Sequence, residues 1–176
     1  MNRESLLQEM LPEGKKVKMG SPKVSPFLIG LGQRFSGSSE EFKAVYGYNA
    51  LKAHMQVTYP SDIGLMLGEF HNTMVENPGV LFLRSMSPKD LHDMIKRSRM
   101  RVWDDRLTRA AMGVCIEDGR VVAVGYSYPK AVENIMLSQQ NSGEANARLE
   151  AMEFLDRNII PANLGDDTPY FITPVN

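Results

Sequence analysis

Two nearly unbroken apolar runs meet at Asp118-Gly119: Ala110 to Ile116 on one side, and Val121 to Tyr126 on the other. An Asp-Gly pair supplies two successive positive φ values, which match the twist of antiparallel strands, so a tight hairpin is predicted there. A strand with one wet face alternates apolar and polar residues. These runs do not alternate, so both faces of the hairpin are expected to be covered, as in the centre of a layered sheet. Helices over 87–102 and 143–157 are the expected covers, and PYFITP (169–174) reads as a further strand. The fold class that follows is α+β.

Upstream, three regions are distinguished: an extended N-terminal arm over 1–38, a helical region over 39–86, and a C-terminal α/β half over 87–176. A short helix from Met1 to about Gln8 would be ended by Pro12 and Gly14. Lys15 to Ser39 is rich in Gly, Ser, Pro and Lys around one apolar island, Phe27-Leu28-Ile29, and reads as the arm. From Ser39, Glu40-Glu41 suit a helix N-terminus, and Phe42, Val45, Tyr46 and Ala50 follow at helical spacing. A second helix starts after Ser61-Asp62, with Ile63, Met66, Leu67, Phe70 and Met74 on one stripe. Asn77-Pro78-Gly79 stops it before a strand at Val80 to Leu83. The third helix has Ser87 as N-cap, Pro88 at its first position and Asp90 beside the free amides, and is expected to reach about Val102.

With 43% hydrophobic residues the chain can build a core and is not a disordered one. Its formal net charge of -1 gives no global attraction to nucleic acid or anionic lipid, so any such binding must be local. Cys115 is the only cysteine, which excludes an internal disulfide and thiolate-rich zinc cages. It reads as a small buried hydrophobe. His54, His71 and His92 lack ligand spacing and read as helix-face residues; no metal or cofactor is expected. No run approaches the roughly 18 apolar residues of a membrane span. Residues 1–16 also lack the apolar core of a signal peptide. The expected setting is cytoplasmic, or within a particle assembled in the cell, with no membrane partner.

Three clusters carry candidate chemistry. Gly30-x-Gly32 with Gly37 has the composition of an anion-cradling loop but not the fingerprint spacing, and reads as a plain loop. Lys96, Arg97, Arg99, Arg101, Arg106 and Arg109 form the densest basic stretch, either a solvated face or a contact for phosphates. Asp104, Asp105 and Glu144 are the acidic alternative, a set for Mg²⁺. Glu144 also follows Asn141 at capping-box spacing, which needs no chemistry.

The segment LTRAAMGVCIEDGRVVAVGYSYP resembles the hairpin of cytidine and deoxycytidylate deaminases. SGEANARLEAM is similar to that family's His-Ala-Glu-x-Asn-Ala helix, and PYFITP to the strand before its Pro-Cys-x-x-Cys. The resemblance implies that Glu144 matches the proton-shuttling glutamate and Asn146-Ala147 the Asn-Ala pair. Ser142 stands where the zinc-binding histidine belongs, and the cysteine pair has no counterpart. Without the metal there is no hydroxide for the glutamate to serve, so a scaffold that has lost its reaction is implied. The same stretch also resembles ribonuclease H-like folds. There Asp104 or Asp105 and Glu144 would match two Mg²⁺-binding carboxylates, while Pro174 occupies the place of the next aspartate.

The leading expectation is a non-enzymatic interaction or assembly subunit of a larger complex, such as a viral particle, with protein partners or further copies of itself. The alternatives are a Mg²⁺-dependent or nucleic-acid-binding factor of ribonuclease H-like type, and a regulator that holds a nucleotide without reacting.

Overall fold

A computed structural model describes residues 2–37, 39–139 and 144–176, with Glu144 and Ala145 as backbone. Six strands close into a barrel in chain order: β1 (Leu28–Ser36), β2 (Ser39–Gly47), β3 (Leu81–Ser85), β4 (Ala111–Glu117), β5 (Arg120–Ser127) and β6 (Tyr170–Pro174). The helices α1 (Arg3–Met10), α2 (Tyr48–Thr58), α3 (Ile63–Val75), α4 (Pro88–Ser98), α5 (Tyr128–Ser138) and α6 (Glu144–Phe154) cover its outside. The mixed α+β class is as expected. Among the described residues, no helix is long and apolar enough to cross a membrane.

The second half of the chain repeats the first. A helix, a hairpin, a helix pair and a returning strand occur as α1, β1–β2, α2–α3, β3 and again as α4, β4–β5, α5–α6, β6. The pairings repeat as well. Both hairpins are antiparallel, β2–β3 and β5–β6 are parallel, and β3–β4 and β6–β1 are antiparallel. Residue equivalences follow from register. Tyr46 pairs with Phe82 as Tyr126 pairs with Phe171. Gly30 lies between Val45 and Pro174 as Gly113 lies between Gly125 and Ser85. Both glycines sit beside a register shift, and a Cβ on either would strike a neighbouring backbone oxygen, Thr173 O at 2.3 Å or Arg84 O at 1.9 Å.

The core has three parts. Val45, Leu81, Leu83, Cys115, Ala123, Tyr170 and Ile172 fill the barrel. Outside, α1, α2 and α3 pack on Leu31, Ala44, Tyr46 and Phe82, while α5 and α6 pack on Val124, Tyr126 and Phe171. This is the period-two alternation of strands with an inner and an outer face, both apolar. Asp118 and Gly119 have φ of 52° and 78°, the two positive values expected of the hairpin turn.

Several expectations are corrected. Residues 39–47 form β2, not a helix: Glu40 and Glu41 pair across the Gly37 turn with Phe35 and Arg34, and the β-favouring Phe42, Val45 and Tyr46 follow them along the strand. Leu28–Ser36 is β1, not part of an arm, and the segment before it lies on the barrel with Leu7 and Val24 fully buried. Gly30 and Gly32 are therefore strand residues where another backbone or side chain comes close, not a loop. The third helix stops at Ser98 because Arg99 takes the left-handed conformation, φ 52°, of a C-cap. Helix α5 was not anticipated. Ser127 caps it by accepting from the Lys130 amide, and Pro129 sits in its first turn.

Candidate functional site

Both hairpin turns lie at one end of the barrel, since β1 and β4 run the same way. There Arg34 points its guanidinium at three acceptors: Glu41 Oε2 at 3.0 Å, Asp166 O at 3.0 Å and Thr168 O at 3.0 Å. It also lies 4.3 Å from the centre of the Tyr170 ring, whose hydroxyl donates to Glu41 Oε1 at 3.2 Å. Lys43 bridges Glu41, at 3.2 Å, and Glu117. Burial raises the Glu41 carboxyl, but its hydrogen bonds and charge interactions with Arg34 and Lys43 outweigh that and hold it below its ordinary value. Burial lifts the Tyr170 hydroxyl well above its usual range. Two cations and two carboxylates thus use one another as partners, which makes this cluster a neutral plug for the barrel end.

On the outside of the second repeat, a cavity of about 420 Å³ opens between α4 and the start of β4. Leu91, Ile95, Trp103 and Tyr126 give it an apolar wall, and His92, Asp105, Thr108 and Arg109 supply polar groups. Trp103 is stacked on Phe171, with ring centres 5.9 Å apart, and its backbone amide donates to Tyr126 Oη at 3.1 Å. Its indole N–H is buried and has no acceptor among the described residues. A second cavity of about 420 Å³ lies by Gln33, Glu40, Tyr128 and Asp156. Four of its polar side chains are matched to one another, Gln33 to Glu40 and Tyr128 Oη to Asp156 Oδ1 at 3.2 Å.

A third feature is α3. Met66, Phe70 and Met74 face the core, and Ile63 (71%), Leu65 (50%), Leu67 (46%) and Val75 (45%) are exposed to solvent; Ile63, Leu67 and Val75 follow the four-residue ridge along one flank of the buried stripe, and Leu65 is on the far side. Gly68 lies on the exposed part of the helix with open space around it. Glu69 is the only charged residue of the helix, and its carboxylate lies 4.0 Å from Lys23.

The residues singled out by sequence are placed as follows. Lys96, Arg97, Arg99, Arg101, Arg106 and Arg109 are all exposed. Arg106 is held by Asp104, Nη2 to Oδ2 at 2.8 Å and Nε to Oδ1 at 3.2 Å, and Arg101 lies 4.0 Å from Asp167. The Arg106 hydrogen bond keeps the Asp104 carboxyl below its ordinary value. Asp105 turns instead to the Trp103 cavity. The carboxylate of Glu144 and the Asn141 and Ser142 positions lie outside the described residues, so the capping box and the family's zinc position do too. Among the described residues, no three His, Cys, Asp or Glu side chains gather as a metal site. His54, His71 and His92 are on α2, α3 and α4, and Cys115 is fully buried, its thiol pushed up to about 12.

No protein-family model, curated protein or solved structure matches the chain, and neither the deaminase-like nor the ribonuclease H-like fold is identified. The sequence reading did not single out Trp103, Tyr126, Leu91 or Ile95 as a set, because they come from separate elements. Recognising the turn at Gly37 would have put Arg34 opposite Glu41 and revealed the ionic plug.

Proposed function

We propose that this chain is a non-enzymatic assembly subunit that binds a second copy of itself through the exposed flank of α3 that carries Ile63, Leu67 and Val75. The observation that carries the reading is the row of exposed Ile63, Leu67 and Val75 along one flank of a helix with one charged residue. Scattered apolar residues on a surface are ordinary, but a contiguous apolar face is typical of an interface. A face with almost no charge is complementary to itself, and a twofold pair places the same patch on both subunits. Gly68 adds no side chain to the contact and lets a partner helix come close. The ionisable groups at the barrel end fit the same reading, since they are occupied in holding the fold together.

The test is mass against concentration by sedimentation equilibrium, for the native chain and for Ile63→Glu and Leu67→Glu. Both side chains are outside the core, so the variants should keep the native circular dichroism. The native protein is expected to dimerise or assemble further, and each variant to shift toward monomer by at least about 1.4 kcal/mol, tenfold in dissociation constant. A native chain that stays monomeric throughout, or variants that associate as well as the native chain, would sink the proposal.

A further inference from the structure

The two repeats treat one position in opposite ways. In the first, the Gly20 amide donates to Tyr46 Oη at 2.7 Å; in the second, the Trp103 amide donates to Tyr126 Oη at 3.1 Å. Because Tyr46 and Tyr126 are equivalent by register, Gly20 and Trp103 are as well. Around Gly20 there is no room: a Cβ would lie 2.4 Å from Val24 Cγ2 and 3.2 Å from the Tyr46 ring. The connection over 11–19 brings Leu11, Val17 and Met19 onto this part of the core. The connection over 99–102 is shorter, and the corresponding place in the second repeat is the cavity beside Trp103.

We infer that this cavity is a binding site for a free α-amino acid with a large apolar side chain. Its volume falls within the range of roughly 300–1,000 Å³ that holds small molecules, and its wall of Leu91, Ile95, Trp103 and Tyr126 suits an apolar body. Two opposite charges line the same cavity, Asp105 and Arg109, and neither is in an ion pair among the described residues. A simple anion would be opposed by Asp105, and a simple cation by Arg109. A zwitterion satisfies both: its ammonium group donates to the Asp105 carboxylate, and its carboxylate accepts from the Arg109 guanidinium. Thr108 is a further polar group of the site. This inference concerns a different surface from α3 and does not depend on self-association.

Trp103 is the only tryptophan of the chain, so its emission reads the site directly. Titrating the intact protein with L-phenylalanine or L-leucine should change that emission saturably, with isothermal calorimetry as the second measurement. N-acetyl-L-phenylalanine, which lacks the ammonium charge, and L-phenylalaninamide, which lacks the carboxylate, should each bind at least about tenfold more weakly. Arg109→Gln should weaken L-phenylalanine but not the amide, and Asp105→Asn should weaken it but not the N-acetyl form. Both residues are exposed, so circular dichroism should be native for both variants. Neither heat nor emission change up to about 10 mM would overturn the inference, since that is weaker than any useful site. Binding that is indifferent to both variants would overturn it equally.

Discussion

Replacing Gly113 with alanine tests the closure of the barrel. The new methyl carbon would lie 1.9 Å from Arg84 O, 2.8 Å from the Arg84 carbonyl carbon and 3.0 Å from Ser85 Cα. All three are backbone atoms and cannot swing aside, so β3 and β4 must part where Ser85 pairs with Gly113. Overpacking of this kind costs about 1–3 kcal/mol. Weakening a ladder hydrogen bond adds about 0.5–1.5 kcal/mol. The lower entropy of an unfolded alanine returns about 0.4–1 kcal/mol. The net loss is about 0.5–4 kcal/mol, centred near 2, or about 4–8 °C in Tm at that centre for a chain of this size. Gly30→Ala should behave alike, because its methyl would meet Thr173 O at 2.3 Å in the other repeat. Gly68→Ala is the control, measured at concentrations where the chain is monomeric: it is helical with nothing within 4 Å in the single chain, and should gain about 0.5–1 kcal/mol from helix propensity. Urea unfolding followed by circular dichroism measures all three. A Gly113→Ala midpoint equal to the native one would refute the closure argument.

Other outcomes can be checked with the same protein. The Glu41 carboxyl is held below its ordinary 4.5, so its contribution to stability is complete above that value and is lost as the pH falls through its folded value. Glu41→Gln should therefore lower stability at pH 7 by about 1–3 kcal/mol and flatten the acid limb below about pH 4.5, as read by urea midpoints against pH. Cys115, fully buried with its thiol raised to about 12, should resist Ellman's reagent at pH 8 until denaturant is added; rapid native labelling would contradict its burial. Gly20→Ala should cost about 1–3 kcal/mol, because the added methyl meets the fully buried Val24 side chain at 2.4 Å, and an unchanged melting temperature would count against the packing of the first repeat.

What the sequence disclosed depended on whether a signal was local. Asp118-Gly119 marked its hairpin because the turn needs two positive φ values, and Ser87-Pro88 and Asp62 marked helix starts because capping uses neighbouring residues. The β1–β2 hairpin stayed hidden for a tertiary reason. Gly30 and Gly32 look like loop residues until one sees that Thr173 and Tyr170 from the far end of the chain press against them. Helix α5 was hidden by a competing motif, since Tyr126 to Pro129 also suits the exit of a hairpin. The Trp103 cavity was illegible because its wall comes from α4, the loop after it and β5, brought together only by closure of the barrel.

The repeat was hidden by complementary volumes. Register makes Val45 equivalent to Gly125, Leu81 to Tyr170 and Gly32 to Cys115. These residues share one interior, so a large group in one repeat has to be met by a small one nearby. Gly125 shows this directly: a Cβ there would come within 2.9 Å of Leu83 and 3.1 Å of Cys115 and Ile172. Packing inside a closed barrel therefore drives the two halves apart in sequence while the backbone pairing holds them alike. On the outside no such coupling acts, and differences there are free to serve other ends. The tyrosine acceptors Tyr46 and Tyr126 are the same in both repeats because each must receive a backbone amide. The residues that donate those amides, Gly20 and Trp103, are as different as two residues can be. The framework needs only the amide, so the indole is an addition to it, and the cavity it lines is the place where the second repeat departs most from the first.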